Sequence, residues 1–406
     1  MLNGGGRGRR AALVVLAALA LAVLATVTLN SGRPTGPTRS PGIQLPSPPP
    51  GTIAPPPPTE PPTLPSSPAS VAALLAAIQG PPEQVGYLVS TRELVDRAAL
   101  ARLGVEPFRS AFQELVDWAN GKLGDDPRPK ETLKISGTRG SFVSDTASAY
   151  GLAIAWVATG DSRYADQARE FINEWVQTTT ATKDACPDTG GCQTALIISR
   201  AAAGFVFAAD LLGPNEFGPS DQAALRDWLA RIVLPAASTR DNNWGDAGTF
   251  SKVAVADYIG DRVAFDAGIA AWKAGIDRIQ TDGHIPLEVA RDEHGMMYTQ
   301  EALDYKLAVA VIAERRGIDL WSYVGAQGGS LEKAVAYLAS YWHRPEDWPW
   351  AQPVDVPNPS ASWEIIYDHW PKPEYARILS ERRPYGPDGH SAIRWTTMTN
   401  GLPFNS

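Results

Sequence analysis

From residue 90 onward, apolar positions recur every three or four residues, in segments separated by short polar or glycine-containing turns. The spacing predicts helices over 92–103, 107–123, 144–159, 162–178, 194–212, 220–234, 249–258, 264–279, 300–316 and 331–341. A short apolar pattern at 70–79 precedes them. Gly160-Asp161 splits one helix pair, and Ser220 is a candidate N-cap for another helix. The stretch 194–212 is nearly apolar throughout, with small residues at Ala201, Ala202, Ala203 and Gly204, which suits a helix covered on more than one side within a double layer. No convincing strand alternation precedes Pro345. The Trp- and Pro-rich end, 345–406, reads as irregular packing or a short strand pair. Successive helix pairs of this length predict an all-α fold. An α/α toroid, an incomplete double-layered helical barrel, fits the rhythm, and an α-solenoid shares it.

Composition changes the picture first at the N-terminus. Arg7, Arg9 and Arg10 precede an apolar run of 19 residues, Ala11 to Leu29. This reads as a signal peptide or an uncleaved signal anchor within residues 1–30, with the remainder exported. In the linker, 31–68, 15 of the 36 residues from Arg33 to Pro68 are proline, which makes it an extended, coreless stalk. Residues 69–406 are then one large domain. Its expected place is outside the cytoplasm, secreted or tethered to the outer face of the membrane, and its expected state is a monomer touching the membrane only through the N-terminal segment.

A formal net charge of −8 argues against nucleic-acid binding but leaves local basic clusters free to hold an acidic substrate. The only cysteines, Cys186 and Cys192, flank a five-residue Pro-Asp-Thr-Gly-Gly loop, and export favours a disulfide between them. The five histidines lack ligand spacing. No metal site and no organic cofactor is expected.

Two stretches carry most of the chemistry. DNNWGDAGTFSKVAVAD, Asp241 to Asp257, places two amides (Asn242, Asn243), an indole (Trp244) and a glycine ahead of a helical pattern, so side-chain amides and backbone donors meet at one spot. PLEVARDEHGMMY, Pro286 to Tyr298, sets Arg291 and Tyr298 seven residues apart. On a continuous helix that is two turns, and both side chains share a face. An amide, a guanidinium and a phenol can neutralise a carboxylate and move a proton, which is what β-elimination on a uronic acid requires.

These stretches, with WVATGDSRYADQAREFINEWV and TALIISRAAAGFVFAADLL, resemble the alginate lyase family of mannuronate lyases over roughly 137–367. The resemblance implies an α/α toroid and a lyase acting on an acidic polysaccharide, with alginate the first candidate. It implies catalytic roles for Asn243, Arg291 and Tyr298. Where alginate-cleaving members place a histidine after the Asn, this chain has Trp244. His294, or His284, is then the candidate for the missing imidazole, and Trp244 a candidate stacking platform beside Asn242. Lys134 and Arg139 correspond to a basic, glycine-containing segment lining the family's cleft. Trp363 and Tyr367 resemble its C-terminal aromatic segment, with packing the simpler role.

Two alternatives remain open. A glycoside hydrolase on a similar toroid needs two carboxylates across the scissile bond, and Asp246, Asp257, Glu288 and Glu301 lie near the motifs. A non-catalytic cell-envelope glycan-binding protein would follow from loss of the histidine.

Overall fold

The computed structural model describes residues 80–134, 140–189 and 193–404. The expected N-terminal segment, linker and first short helix, together with Arg139 and Cys192, lie outside the described residues.

The helices fall into two kinds by how much surface they hide. α1 (Thr91–Arg102) and α2 (Phe108–Asn120) open the domain. α3 (Ser141–Thr159) buries 15 of its 19 residues, whereas α4 (Ser162–Thr178), after the Gly160 turn, buries 7 of 17 on one face. The pattern recurs with α5 (Gln193–Ala201) and α6 (Ala203–Glu216) followed by the amphipathic α7 (Pro219–Trp228). It recurs again with α8 (Asn243–Ile259) and α9 (Arg262–Asp277), and with α11 (Gly295–Arg315) and α12 (Leu331–Trp342), a four-residue α10 (Pro286–Val289) lying between these pairs. A helix apolar on all sides must be enclosed; a helix with one apolar stripe covers it from outside. Accordingly α3, α6, α8 and α11 form an inner layer, with α4, α7, α9 and α12 outside.

Neighbouring inner helices pack in sequence, α3 on α6, α6 on α8, α8 on α11. The circuit continues through α13 (Ser362–His369) to α15 (Thr396–Asn400), which returns to α1 and α2, with α14 (Pro373–Ser380) outside. The turn is thus completed by short helices rather than full pairs, as an α/α toroid with an incomplete last part.

Three expectations change. The apolar stretch 194–212 is two helices, and Gly204 allows α6 to press on α3, since a Cβ there would lie 2.8 Å from the Thr146 carbonyl. α7 starts at Pro219 with Gly218 as N-cap, so Ser220 is not the cap. The 345–406 region holds three short α-helices and a 3₁₀ turn, Pro345–Asp347, in otherwise irregular chain, which matches the irregular-packing reading and not the strand pair among its described residues, while a two-residue parallel pair, β1 (Thr132–Leu133) and β2 (Ala181–Thr182), occurs before Pro345.

Candidate active site

α8 begins six residues earlier than its apolar pattern suggests, because Asn242 caps it by accepting from the Trp244 N–H at 3.3 Å. Asn243 is therefore the first helical residue. Its backbone N–H, free at a helix start, donates to Glu288 Oε1 at 2.7 Å, and its Nδ2 donates to Glu301 Oε2 at 2.9 Å. Glu288 stands on α10 and Glu301 on α11, so the two motifs meet through this one asparagine.

Asn243 is fully buried, and its Oδ1 has no hydrogen-bond partner. Its side chain thus lies under the surface at the junction of the two motifs. Asn242 is likewise committed as the helix cap.

Arg291 and Tyr298 come together, though not by sharing a helix. α10 ends at Val289, and a 3₁₀ turn, Asp292–His294, intervenes before α11, with Asp292 at φ +48°. The bend returns Arg291 onto the Tyr298 ring, its guanidinium carbon 4.0 Å from the centroid. The exposed His294 ring stands edge-on to Tyr298 at 6.1 Å.

Trp244 is half-buried, and Arg240 lies over its ring at 4.7 Å. His284 lies apart from the trio's contacts. Its Nδ1 is 2.8 Å from Asp282, and its ring faces Trp350 at 5.1 Å. Lys134 is paired with Asp184 at 2.9 Å. Trp363 and Tyr367 are buried, as packing predicts; Trp363 Nε1 donates to Gln300 Oε1 at 3.0 Å.

Beneath the site lies a charged network. Arg200 pairs with Glu301, and Tyr305 OH donates to Glu301 Oε1 at 3.3 Å. Lys306 pairs with Asp246. Burial, then the neighbouring Asp246, pushes the Glu288 carboxyl up to about 7, against the pull of the Asn243 N–H, Lys306 and Arg291. Burial also raises Asp304 to about 7 despite the Ser360 hydroxyl donating to it at 2.6 Å. The carboxylates a hydrolase would need are thus already engaged: Asp246 by Lys306, Asp257 by Arg316, Glu288 by Asn243, and Glu301 by Arg200. Arg200 and Lys306 were missed as site residues. The one signal was an arginine inside the apolar run LIISRAAAG.

Cys186 is not a free thiol. Among the described residues no group of three or more His, Cys, Asp or Glu is placed to hold a metal.

Comparison with known proteins bears on the fold and the family. The chain is 30% identical over 117 residues to a polysaccharide lyase of Stenotrophomonas maltophilia (strain K279a), a match that spans 27% of this chain and 34% of that protein's length. An alginate lyase from Bacteroides ovatus superposes with a TM-score of 0.62 at 18% identity, over 79% of this chain and all of that one. Alginate lyase A1-III from Sphingomonas species A1 superposes with a TM-score of 0.59 at 17% identity, over 79% and 98% of the two chains. These likenesses establish the fold. The alginate lyase family profile matches residues 127–348, more than half of the sequence and both motifs, and the chain belongs to that family.

Proposed function

We propose that the protein is a polysaccharide lyase that cleaves a uronate-containing acidic polysaccharide by β-elimination, with alginate the first candidate substrate. The observation that carries this reading is the Arg291 guanidinium stacked on the Tyr298 ring, with His294 at the ring's edge. Arg291 neutralises the substrate carboxylate, and its stack on the Tyr298 ring holds the guanidinium beside the phenol. Tyr298 takes the C5 proton, the C4–O4 bond breaks as the C4–C5 double bond forms, and the proton passes to the departing O4. His294 stands where an imidazole can assist, in place of the histidine that Trp244 replaces. Asn243 acts from beneath, holding the first motif to the second through Glu288 and Glu301.

Family membership supports the reaction class, and a tetrasaccharide complex of a variant A1-III lyase, 17% identical, supports an oligosaccharide as ligand. We further propose export of the domain, tethered or secreted as a monomer, and a Cys186–Cys192 disulfide closing the loop between them. The engaged carboxylates disfavour hydrolysis, since a hydrolase needs two that are free to act. Incubation with mannuronate-rich and guluronate-rich alginate, glucuronan, hyaluronan and heparan, followed by ultraviolet absorbance of the unsaturated uronate, tests the reading. Product formation abolished by Tyr298→Phe is the expected result. Cleavage without an unsaturated end would replace elimination by hydrolysis, and binding without any cleavage would leave a glycan-binding protein.

A further inference from the structure

Arg240 and Arg291 share one arrangement. Each guanidinium lies on an aromatic ring of a site motif, and neither makes an ion pair or a hydrogen bond to a carboxylate or carbonyl among the described residues. Arg291 already has a role in the proposed reaction. Arg240 does not.

Its position is built into the backbone. Residues 238–240 run against the start of α8 so closely that a Cβ on Gly245 would sit 1.5 Å from the Arg240 carbonyl oxygen, and one on Gly248 1.7 Å from that of Ser238. On the other side Thr239 N–H donates to the Pro187 carbonyl at 2.8 Å, and Ser238 N–H to Ser199 Oγ at 2.9 Å. Held from both sides, the turn sets Arg240 over Trp244 at 4.7 Å. The nearest acid in sequence, Asp241, is taken by Arg278 at 3.5 Å. The guanidinium is thus pre-oriented on an indole and left without an anion, in a chain with 44 acidic residues against 36 lysines and arginines. Its motif is joined to the Arg291 motif by the 2.7 Å bond from Asn243 to Glu288.

We propose that Arg240, seated on Trp244, is a substrate-binding residue that receives the carboxylate of the sugar adjoining the one held at Arg291. The site then selects polymers with carboxylates on consecutive sugars over those alternating uronate with a neutral hexosamine. Planar, bidentate recognition by guanidinium suits a carboxylate, and the indole beneath limits the rotamers lost on binding. Trp244, where the family has histidine, becomes the platform of a second anion site. This inference rests on the proposed lyase reading.

The test uses the full chain, with oligosaccharides of polymannuronate, polyguluronate and glucuronan as consecutive-carboxylate probes and hyaluronan oligosaccharides as the alternating one. Equilibrium binding is measured in a Tyr298→Phe background, and turnover in the otherwise unaltered chain. Arg240→Ala should weaken binding of a homopolyuronate about tenfold and leave hyaluronan affinity in place, with Arg240→Lys between. In turnover the loss should appear chiefly in KM, and the salt dependence of KM should flatten. An unchanged melting temperature shows that the turn still folds. Equal loss on both polymer types, or no loss, overturns the assignment. If no polymer is cleaved but homopolyuronate binding still depends on Arg240, the inference stands and the lyase reading falls. Cleavage with an unchanged KM in Arg240→Ala does the reverse, and absence of binding to any polymer removes both.

Discussion

Replacing Glu301 by alanine should cost stability and activity by separable routes. Its carboxylate pairs with Arg200, accepts from Asn243 Nδ2 at 2.9 Å and from Tyr305 OH at 3.3 Å. The Arg200 side chain is 7% exposed, and its Nε already lacks a hydrogen-bond partner. Removing Glu301 therefore strands a buried charge, which costs about 3–5 kcal/mol, far more than a surface pair would. An Arg200→Met, Glu301→Leu double variant strands no charge and should unfold within about 1–2 kcal/mol of the parent. It nevertheless leaves the Asn243 amide without the acceptor that fixes its orientation, so lyase activity should stay low in the single and double variants alike. Denaturant unfolding at pH 7 gives the first quantity and unsaturated-uronate formation the second. A Glu301→Ala protein within 1 kcal/mol of the parent, or a double variant as active as the parent, would refute the argument.

Other consequences follow from the same geometry. Glu288 and Asp304 have folded pKa values of about 7, above the ordinary values of 4.5 and 3.8, so both are favoured protonated in the fold. The stability they lend is full below about pH 4 and is lost as pH rises through about 7; unfolding midpoints at pH 5 and pH 8 should differ, and Glu288→Gln with Asp304→Asn should flatten the slope. Gly245→Ala drives a methyl into the Arg240 carbonyl, a backbone contact that cannot swing away, and should lower stability by about 1–3 kcal/mol in urea unfolding while also raising KM on a homopolyuronate. Arg291→Ala should lower kcat by about 10²–10³ on whichever polymer is cleaved, with Arg291→Lys retaining a charge but not the stack, and so recovering only part of it. A kcat within threefold of the parent in Arg291→Ala would remove the guanidinium from the reaction.

Much of the fold was readable because inner and outer helices differ in pattern: 162–178 matches α4 at both ends, and 331–341 is α12 short by one residue. Helix starts were misplaced where glycine looked like a breaker. Gly245 and Gly248 lie inside α8, tolerated because the chain at 238–240 presses where side chains would be. The pairing of Arg291 with Tyr298 was anticipated by a helical spacing that does not exist; the bend at Asp292 achieves the same meeting. The network under Asn243 had no local signature. Arg200 is 101 residues from Glu301, and Asn243 is 58 from it, so only the closed circuit of helices brings them together.

The segment from Gln193 to Glu216, α5 and α6 taken together, is long and apolar enough to cross a bilayer, yet 94% of its apolar window is enclosed by the protein. On the proposed export route this creates a hazard before folding, because a translocating chain presents that segment to lipid. Arg200 and Asp210 interrupt it, and an ionised side chain near the centre of a spanning helix opposes insertion by roughly 2.5–3.5 kcal/mol. If the domain is exported as proposed, the arginine that braces the site in the folded domain would also act during passage, as a barrier to the core being left behind in the membrane.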